Sequence, residues 1–233
     1  MPRVSVILTA YNRPQWMQQA IESVLNQTYQ DIELIIMEDN SPDILVGKVL
    51  DHYEGYKNVT IYRSSVKEED RYKTARYATL INEAVRNISS GEYLTYLADD
   101  DFYYDYRIEI MLESLTIWRK TENNVHVVWG TQNLIDIRGK FKGQRKADRV
   151  LQDAWNEVDH NSVLHTRESY EKVKGWRDDP ETWKAADAYF WRKLTGAGYL
   201  FYPVNHTDRP TDAKRYHADS IHWLKNNNQF PSK

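Results

Sequence analysis

Tyr93-Leu94-Thr95-Tyr96-Leu97-Ala98-Asp99-Asp100-Asp101 decides the fold: an apolar run of strand length passes directly into three carboxylates. Bounded upstream by the turn signal Ser89-Ser90-Gly91, the run reads as a buried strand, Tyr93 to Ala98. Three adjacent carboxylates at its exit form a candidate site for a hard divalent cation, which proteins hold by one or two carboxylates together with substrate phosphates. The competing reading is a solvated acidic turn, since like charges avoid burial.

Working outward, strand-length apolar runs alternate with helix-period segments through the first half, the pattern of βαβ units on a parallel sheet. Strands are expected at Arg3 to Thr9, Ile32 to Met37, Val59 to Tyr62 and Val125 to Trp129. Helices are expected at Gln15 to Asn26, Ile44 to Tyr53, Thr74 to Ile88 and Ile108 to Trp118, the third stopped by Gly91 as a left-handed cap. Past Thr131 the alternation fails. Asp136 to Arg149 reads as an extended loop or edge hairpin, Ser162 to His165 as a strand, and Arg167 to Val173 and Ala186 to Leu194 as helices. His206 to Ala218, polar and broken by proline, reads as a mobile loop near a binding site.

The 233 residues suit one domain. A net charge of -3 and a pI near 6.2 supply no basic field, so a duplex nucleic acid partner is not expected. The chain has no cysteine and shows no hydrophobic leader or run of membrane-spanning length, so a cytoplasmic protein without a membrane span is expected. Eight Trp and 17 Tyr are enough to offer ring platforms to planar or sugar ligands. Oligomeric state is not legible.

In an open parallel sheet, ligands bind beyond the carboxyl ends of the strands. The polar residues there are Thr9, Tyr11 and Asn12, then Glu38 and Asp39, Arg71, and Asp99 to Asp101. No Gly-x-Gly-x-x-Gly follows the first strand and no Gly-Lys-Ser/Thr loop occurs, which leaves metal-assisted phosphate binding as the remaining route.

The ordered set Val4-Ser5-Val6-Ile7-Leu8-Thr9-Ala10-Tyr11-Asn12, Ser23-Val24-Leu25-Asn26-Gln27-Thr28-Tyr29, Glu38-Asp39-Asn40-Ser41 and Ala98-Asp99-Asp100-Asp101 resembles the inverting family-two glycosyltransferases of the GT-A fold. Arg71, Thr74 to Asn82, Asp159 to Val163, Asp187 to Arg192 and Asp219 to His222 extend the likeness towards the spore-coat polysaccharide branch of that family. The resemblance implies a mostly parallel, Rossmann-like sheet flanked by helices, with a smaller acceptor-binding part in the C-terminal half. It implies a UDP- or dTDP-sugar donor, a carbohydrate or glycoconjugate hydroxyl as acceptor, and Mn²⁺ or Mg²⁺.

By that resemblance Thr9, Tyr11, Asp39 and Arg71 hold the nucleoside, Asp99 contacts ribose or diphosphate, and Asp100 binds the metal with Asp101 and His222 in reserve. Asp187 is the expected base, and Asp159 and His160 line the acceptor or sugar pocket. The chemistry agrees: Asp39 can accept an imide N–H, Arg71 can donate to base carbonyls, and Tyr11 can cover a ring. At the start of a helix Asp187 is expected to have a lowered pKa, so that only desolvation would make it a working base. The family's commonest pattern has an acid where this chain has Leu97. Trp191 is expected in the core. A sugar nucleotidyltransferase would need a Gly-rich loop where Ala10-Tyr11-Asn12-Arg13-Pro14 stands, and a catalytically silent nucleotide-sugar-binding module is the alternative of a different class.

Overall fold

The structure is a computed structural model that describes residues 3–205 and 208–217. In chain order the elements are β1 (Val4–Ala10), α1 (Pro14–Leu25), β2 (Ile32–Glu38), α2 (Ile44–Tyr53), β3 (Val59–Arg63), α3 (Arg76–Asn87), β4 (Tyr93–Ala98), β5 (Phe102–Tyr103) and α4 (Arg107–Trp118). There follow β6 (Val127–Trp129), β7 (Gln132–Ile135), β8 (Phe141–Arg145), β9 (Val163–Thr166), α5 (Arg167–Lys172), α6 (Ala186–Gly196), β10 (Phe201–Pro203) and β11 (Asp212–Arg215).

Among the described residues the strands form a seven-stranded sheet, β10-β6-β9-β4-β1-β2-β3, and a four-stranded one, β5-β11-β7-β8. The run β4-β1-β2-β3 is parallel, and β9 enters antiparallel between β4 and β6. In register, Ile7 lies beside Ile35 and Tyr96, and these three pack on one face of the sheet. Val6, Leu8, Leu34, Ile36 and Leu97 pack on the other. Burial of both faces explains why these strands read as nearly continuous apolar runs. Trp191 is buried in the first of these clusters.

The helices follow local rules. Pro14 opens α1, where its missing N–H costs no bond, and the Asp43 side chain caps α2 by accepting from the Leu45 N–H at 2.9 Å. Gly91 is not the left-handed cap expected of it. It is needed for close approach, because a Cβ there would stand 2.5 Å from Ser5 Oγ on β1. Its N–H donates to that same oxygen at 2.9 Å.

Asp136 to Arg149 includes β8, paired antiparallel with β7 at the edge of the smaller sheet, as a hairpin reading requires. The reading of His206 to Ala218 as a loop is corrected for its centre. Asp212–Arg215 is β11, paired with β5 and β7, and Asp212 and Ala213 are fully buried. The Asp212 carboxylate there accepts from Gln132 Nε2 at 2.6 Å, Ser162 Oγ at 3.0 Å and Thr211 Oγ1 at 2.7 Å. A strand carried by satisfied polar groups has no apolar alternation to announce it. No helix among the described residues is long and apolar enough to cross a membrane.

Candidate active site

The parallel strands β1, β2 and β4 bring their carboxyl ends to one edge, and the chain turns sharply there. Asn12 and Asn40, just beyond β1 and β2, both take left-handed backbone angles, φ 57° and 54°, which asparagine tolerates better than most residues. The Asn12 N–H donates to Ser41 Oγ at 3.0 Å, and the Ser41 N–H to Glu38 Oε1 at 2.5 Å, so the two exits are tied together.

Beside them lies a cavity of about 530 Å³ whose wall includes Thr9, Tyr11, Asp39, Arg71, Asp99, Asp159, His160 and Asp187. Residues from six separate stretches of sequence therefore meet in one space. Asp100 and Asp101 are not among the residues of that wall. His222 lies outside the described residues.

At one end the Arg71 guanidinium sits 3.9 Å over the Tyr11 ring. It donates to Asp39 Oδ2 at 2.6 Å and to the Asp39 carbonyl at 2.5 Å, with Glu68 on its Nε at 3.2 Å. Arg71 is thus a buried member of a cation, ring and carboxylate stack rather than a surface cation among its acidic neighbours. Arg76, at the start of α3, donates to Asp39 Oδ1 from Nη2 at 2.6 Å and from Nε at 3.1 Å. Sequence reasoning placed Arg76 within a helix and within the stretch Thr74 to Asn82 that carries the likeness, but gave it no role.

The three carboxylates divide. Asp99 Oδ2 accepts from the Tyr11 N–H at 2.7 Å and Oδ1 from Arg13 at 2.8 Å. Burial pushes its carboxyl up to about 6, with Arg13 opposing and the Asp100 charge adding. Asp100 pairs with His217 Nε2 at 2.7 Å and stands 3.6 Å from Arg13; against the push of burial these cations hold its carboxyl well below the usual range. Both Asp101 oxygens are engaged, one by the Arg215 N–H at 2.6 Å and the other by the Asn161 amide. Burial, then the Asp100 charge, raise the Asp101 carboxyl well above its ordinary value.

A hard cation fits this set at Asp100, which is kept ionised and whose Oδ1 has no hydrogen bond among the described residues. Asp99 reaches the cavity beside it. Asp101 is already committed to holding β11 and the Asn161 side chain.

At the far end, Asp159, His160 and Asp187 present ligand or acid/base atoms within 4.8 Å of one another. Asp159 is ion-paired with Lys214 of β11. Burial opposes its charge, but Lys214, His160 and Arg145 hold the Asp159 carboxyl well below the usual range. His160 Nδ1 lies 3.7 Å from Asp159, while its buried Nε2 has no hydrogen-bond partner among the described residues.

Asp187 sits in the first turn of α6, and its Oδ1 accepts from the Ala188 N–H at 2.8 Å. Its pKa is nonetheless raised: burial outweighs the neighbouring His160 and the backbone bond, which corrects the expectation of a lowered value. The hydroxyl of the partly buried Tyr77 accepts from the Ala186 N–H at 2.8 Å and steadies that turn. Lys214 and Tyr77 are both in the cavity wall; Lys214 carried no motif by which to find it, and Tyr77 entered only as part of the stretch Thr74 to Asn82.

The family model for glycosyl transferase family 2 matches residues 5–174. Protein CgeD of Bacillus subtilis (strain 168) is 38% identical over 212 residues, covering 87% of this chain and 48% of its own length. The chain spans about half the length of that relative and less of several others. Among solved structures, S. aureus TarS 1–349 in complex with UDP-GlcNAc superposes with a TM-score of 0.70 at 12% identity, over 94% of this chain and 60% of that one. The mannosyltransferase PcManGT of Pyrobaculum calidifontis, in complex with GDP-Man and Mn²⁺, superposes with a TM-score of 0.65 at 16% identity, over 95% and 59%. The mostly parallel sheet flanked by helices is that of the GT-A glycosyltransferases, and the chain belongs to glycosyl transferase family 2.

Proposed function

We propose that the chain moves a sugar, with inversion, from a UDP- or dTDP-sugar to a hydroxyl of a carbohydrate or glycoconjugate acceptor in surface polysaccharide or glycoconjugate synthesis. In this reading residues 1–101 take the nucleotide and 102–233 the acceptor, and the reaction takes place in the cytoplasm. The observation that carries it is the single cavity walled at one end by Asp39, Arg71 and Asp99 and at the other by Asp187, whose burial raises its pKa towards that of a useful base.

Asp39 accepts the imide N–H of the base, Arg71 and Tyr11 flank it, and Asp99 reaches the ribose or diphosphate. The acceptor oxygen bonds to the anomeric carbon while its proton passes to an Asp187 carboxylate oxygen. The carbon–oxygen bond to the diphosphate breaks, and its electron pair leaves with the nucleoside diphosphate. Asp100 would hold Mn²⁺ or Mg²⁺, which when bound would supply Lewis-acid stabilisation of that leaving charge. Support for a nucleotide-sugar donor comes from the UDP-GlcNAc complex of TarS, and for a metal from the Mn²⁺ in PcManGT.

The test is a donor panel assayed for hydrolysis and transfer, with calorimetric binding of nucleotides with and without Mn²⁺. Asp187→Asn should lower turnover by roughly 10²–10⁴-fold while leaving nucleotide affinity within about threefold. Unimpaired turnover in Asp187→Asn would remove it as the base. Tight purine binding, or indifference to metal, would sink the donor assignment.

A further inference from the structure

We propose that Arg76 sets the choice of base: by gripping Asp39 from the side opposite Arg71, it holds that carboxylate turned so that the pocket takes a pyrimidine with an imide N–H and rejects cytosine. The inference rests on the UDP- or dTDP-sugar reading above and deepens it.

Asp39 is buried at the end of β2, and three N–H groups serve its two oxygens: Arg71 Nη1 on Oδ2, and Arg76 Nη2 and Nε on Oδ1, the last also 3.2 Å from Oδ2. An ionised carboxylate offers about four acceptor positions, so about one remains, on the Oδ2 side. That position can take the N3–H of uracil or thymine. Cytosine presents a lone pair at N3, and only a protonated Asp39 could donate to it.

Arg76 fixes direction, because its planar fork binds through two nitrogens, which a lysine cannot reproduce. The two arginines differ in what they have left. Arg71 is bonded through Nε, Nη1 and Nη2 to Glu68, Asp39 and the Asn40 carbonyl. Arg76 touches Asp39 and Ser64 Oγ, its Nη1 makes no hydrogen bond among the described residues, and its side chain lines the cavity. A base carbonyl therefore has an available donor in Arg76.

The experiment is calorimetric titration of UDP, dTDP and CDP into the wild-type protein, Arg76→Met and Arg76→Lys, with Mn²⁺ present throughout. The wild type should prefer UDP and dTDP to CDP by at least roughly thirtyfold, because a mismatched buried polar group is costly. Arg76→Met should weaken UDP by roughly tenfold and shrink the UDP/CDP ratio to a few-fold, and Arg76→Lys should restore part of that ratio. Should Arg76→Met fail to fold, Arg76→Gln takes its place. Equal weakening of UDP and CDP, or an unchanged ratio, would overturn the proposal while leaving the donor reading intact. No UDP binding by the wild type would overturn both.

Discussion

The two ends of the cavity are built differently. At the nucleoside end, Thr9, Tyr11 and Asp39 lie on or just beyond neighbouring parallel strands, and Arg71 and Arg76 fold onto them from the segment after β3. At the Asp187 end, the acidic group is completed from the smaller sheet: Lys214 reaches Asp159, and the next residue, Arg215, donates its N–H to Asp101 and its Nε to the Asp100 carbonyl at 3.0 Å. One end rests on the topology of a single sheet. The other depends on two sheets staying in register, through a strand whose sequence is Asp-Ala-Lys-Arg.

That contrast breaks most directly at Lys214. Replacing it with Met takes away the group that does most to hold the buried Asp159 carboxylate charged, and removing one member of a buried pair typically costs about 3–5 kcal/mol. Because the Lys214 side chain is 16% exposed, we expect the low end, about 3 kcal/mol, in denaturant unfolding. Adding Asp159→Asn should recover part of the loss, since the orphaned charge goes with it. Equal destabilisation by the single and double variants would show that Lys214 acts by packing alone. UDP affinity should change little if the nucleoside end is as independent as its construction suggests.

A smaller effect is expected where the two halves meet. Gly175 follows α5 at φ 71°, and a Cβ there would stand 2.6 Å from both Asn82 Oδ1 on α3 and the Tyr170 hydroxyl. The same Asn82 oxygen accepts from Tyr170 at 2.7 Å and from the Trp176 N–H at 3.0 Å, so it has nowhere to move without losing bonds. Gly175→Ala should cost about 2 kcal/mol, combining left-handed strain with the clash, and should lower Tm without altering which nucleotide binds. A variant as stable as the wild type would mean that this seam yields easily.

The same contrast explains what could be read from sequence. Ile44 to Tyr53 and Tyr93 to Ala98 are the elements expected, and β1, β2 and β3 differ from expectation by a residue at their ends; for β1, β2 and β4 burial on both faces writes itself as apolar runs. The polar residues after those strands were legible for the same reason: parallel topology alone sends them to one edge. Lys214, Arg215 and Arg76 were not. A long charged side chain acts several ångströms from its own backbone, so its target is decided by tertiary placement and leaves no local pattern. Strand β11 was missed because its pairing is satisfied by buried polar groups, and the Gly91 reading failed because the need was space beside Ser5 and not a backbone angle.

The smallest effect comes from the site's own chemistry. Burial raises the Asp187 pKa above its unfolded value, so the folded chain binds that proton more tightly than the unfolded chain does. Its contribution to stability is therefore fully present below the unfolded pKa and is lost as pH rises through the folded one. Asp187→Asn removes this loss. It should raise Tm at pH 8 by roughly 2–4 °C, about 1 kcal/mol for a chain of this size, and by less at pH 4, while abolishing most turnover. Activity should fall on the acid side as Asp187 takes up its proton, so the pH range that favours stability opposes catalysis. An unchanged Tm difference between pH 4 and pH 8 would mean that desolvation of Asp187 is not what the fold works against at this end of the cavity.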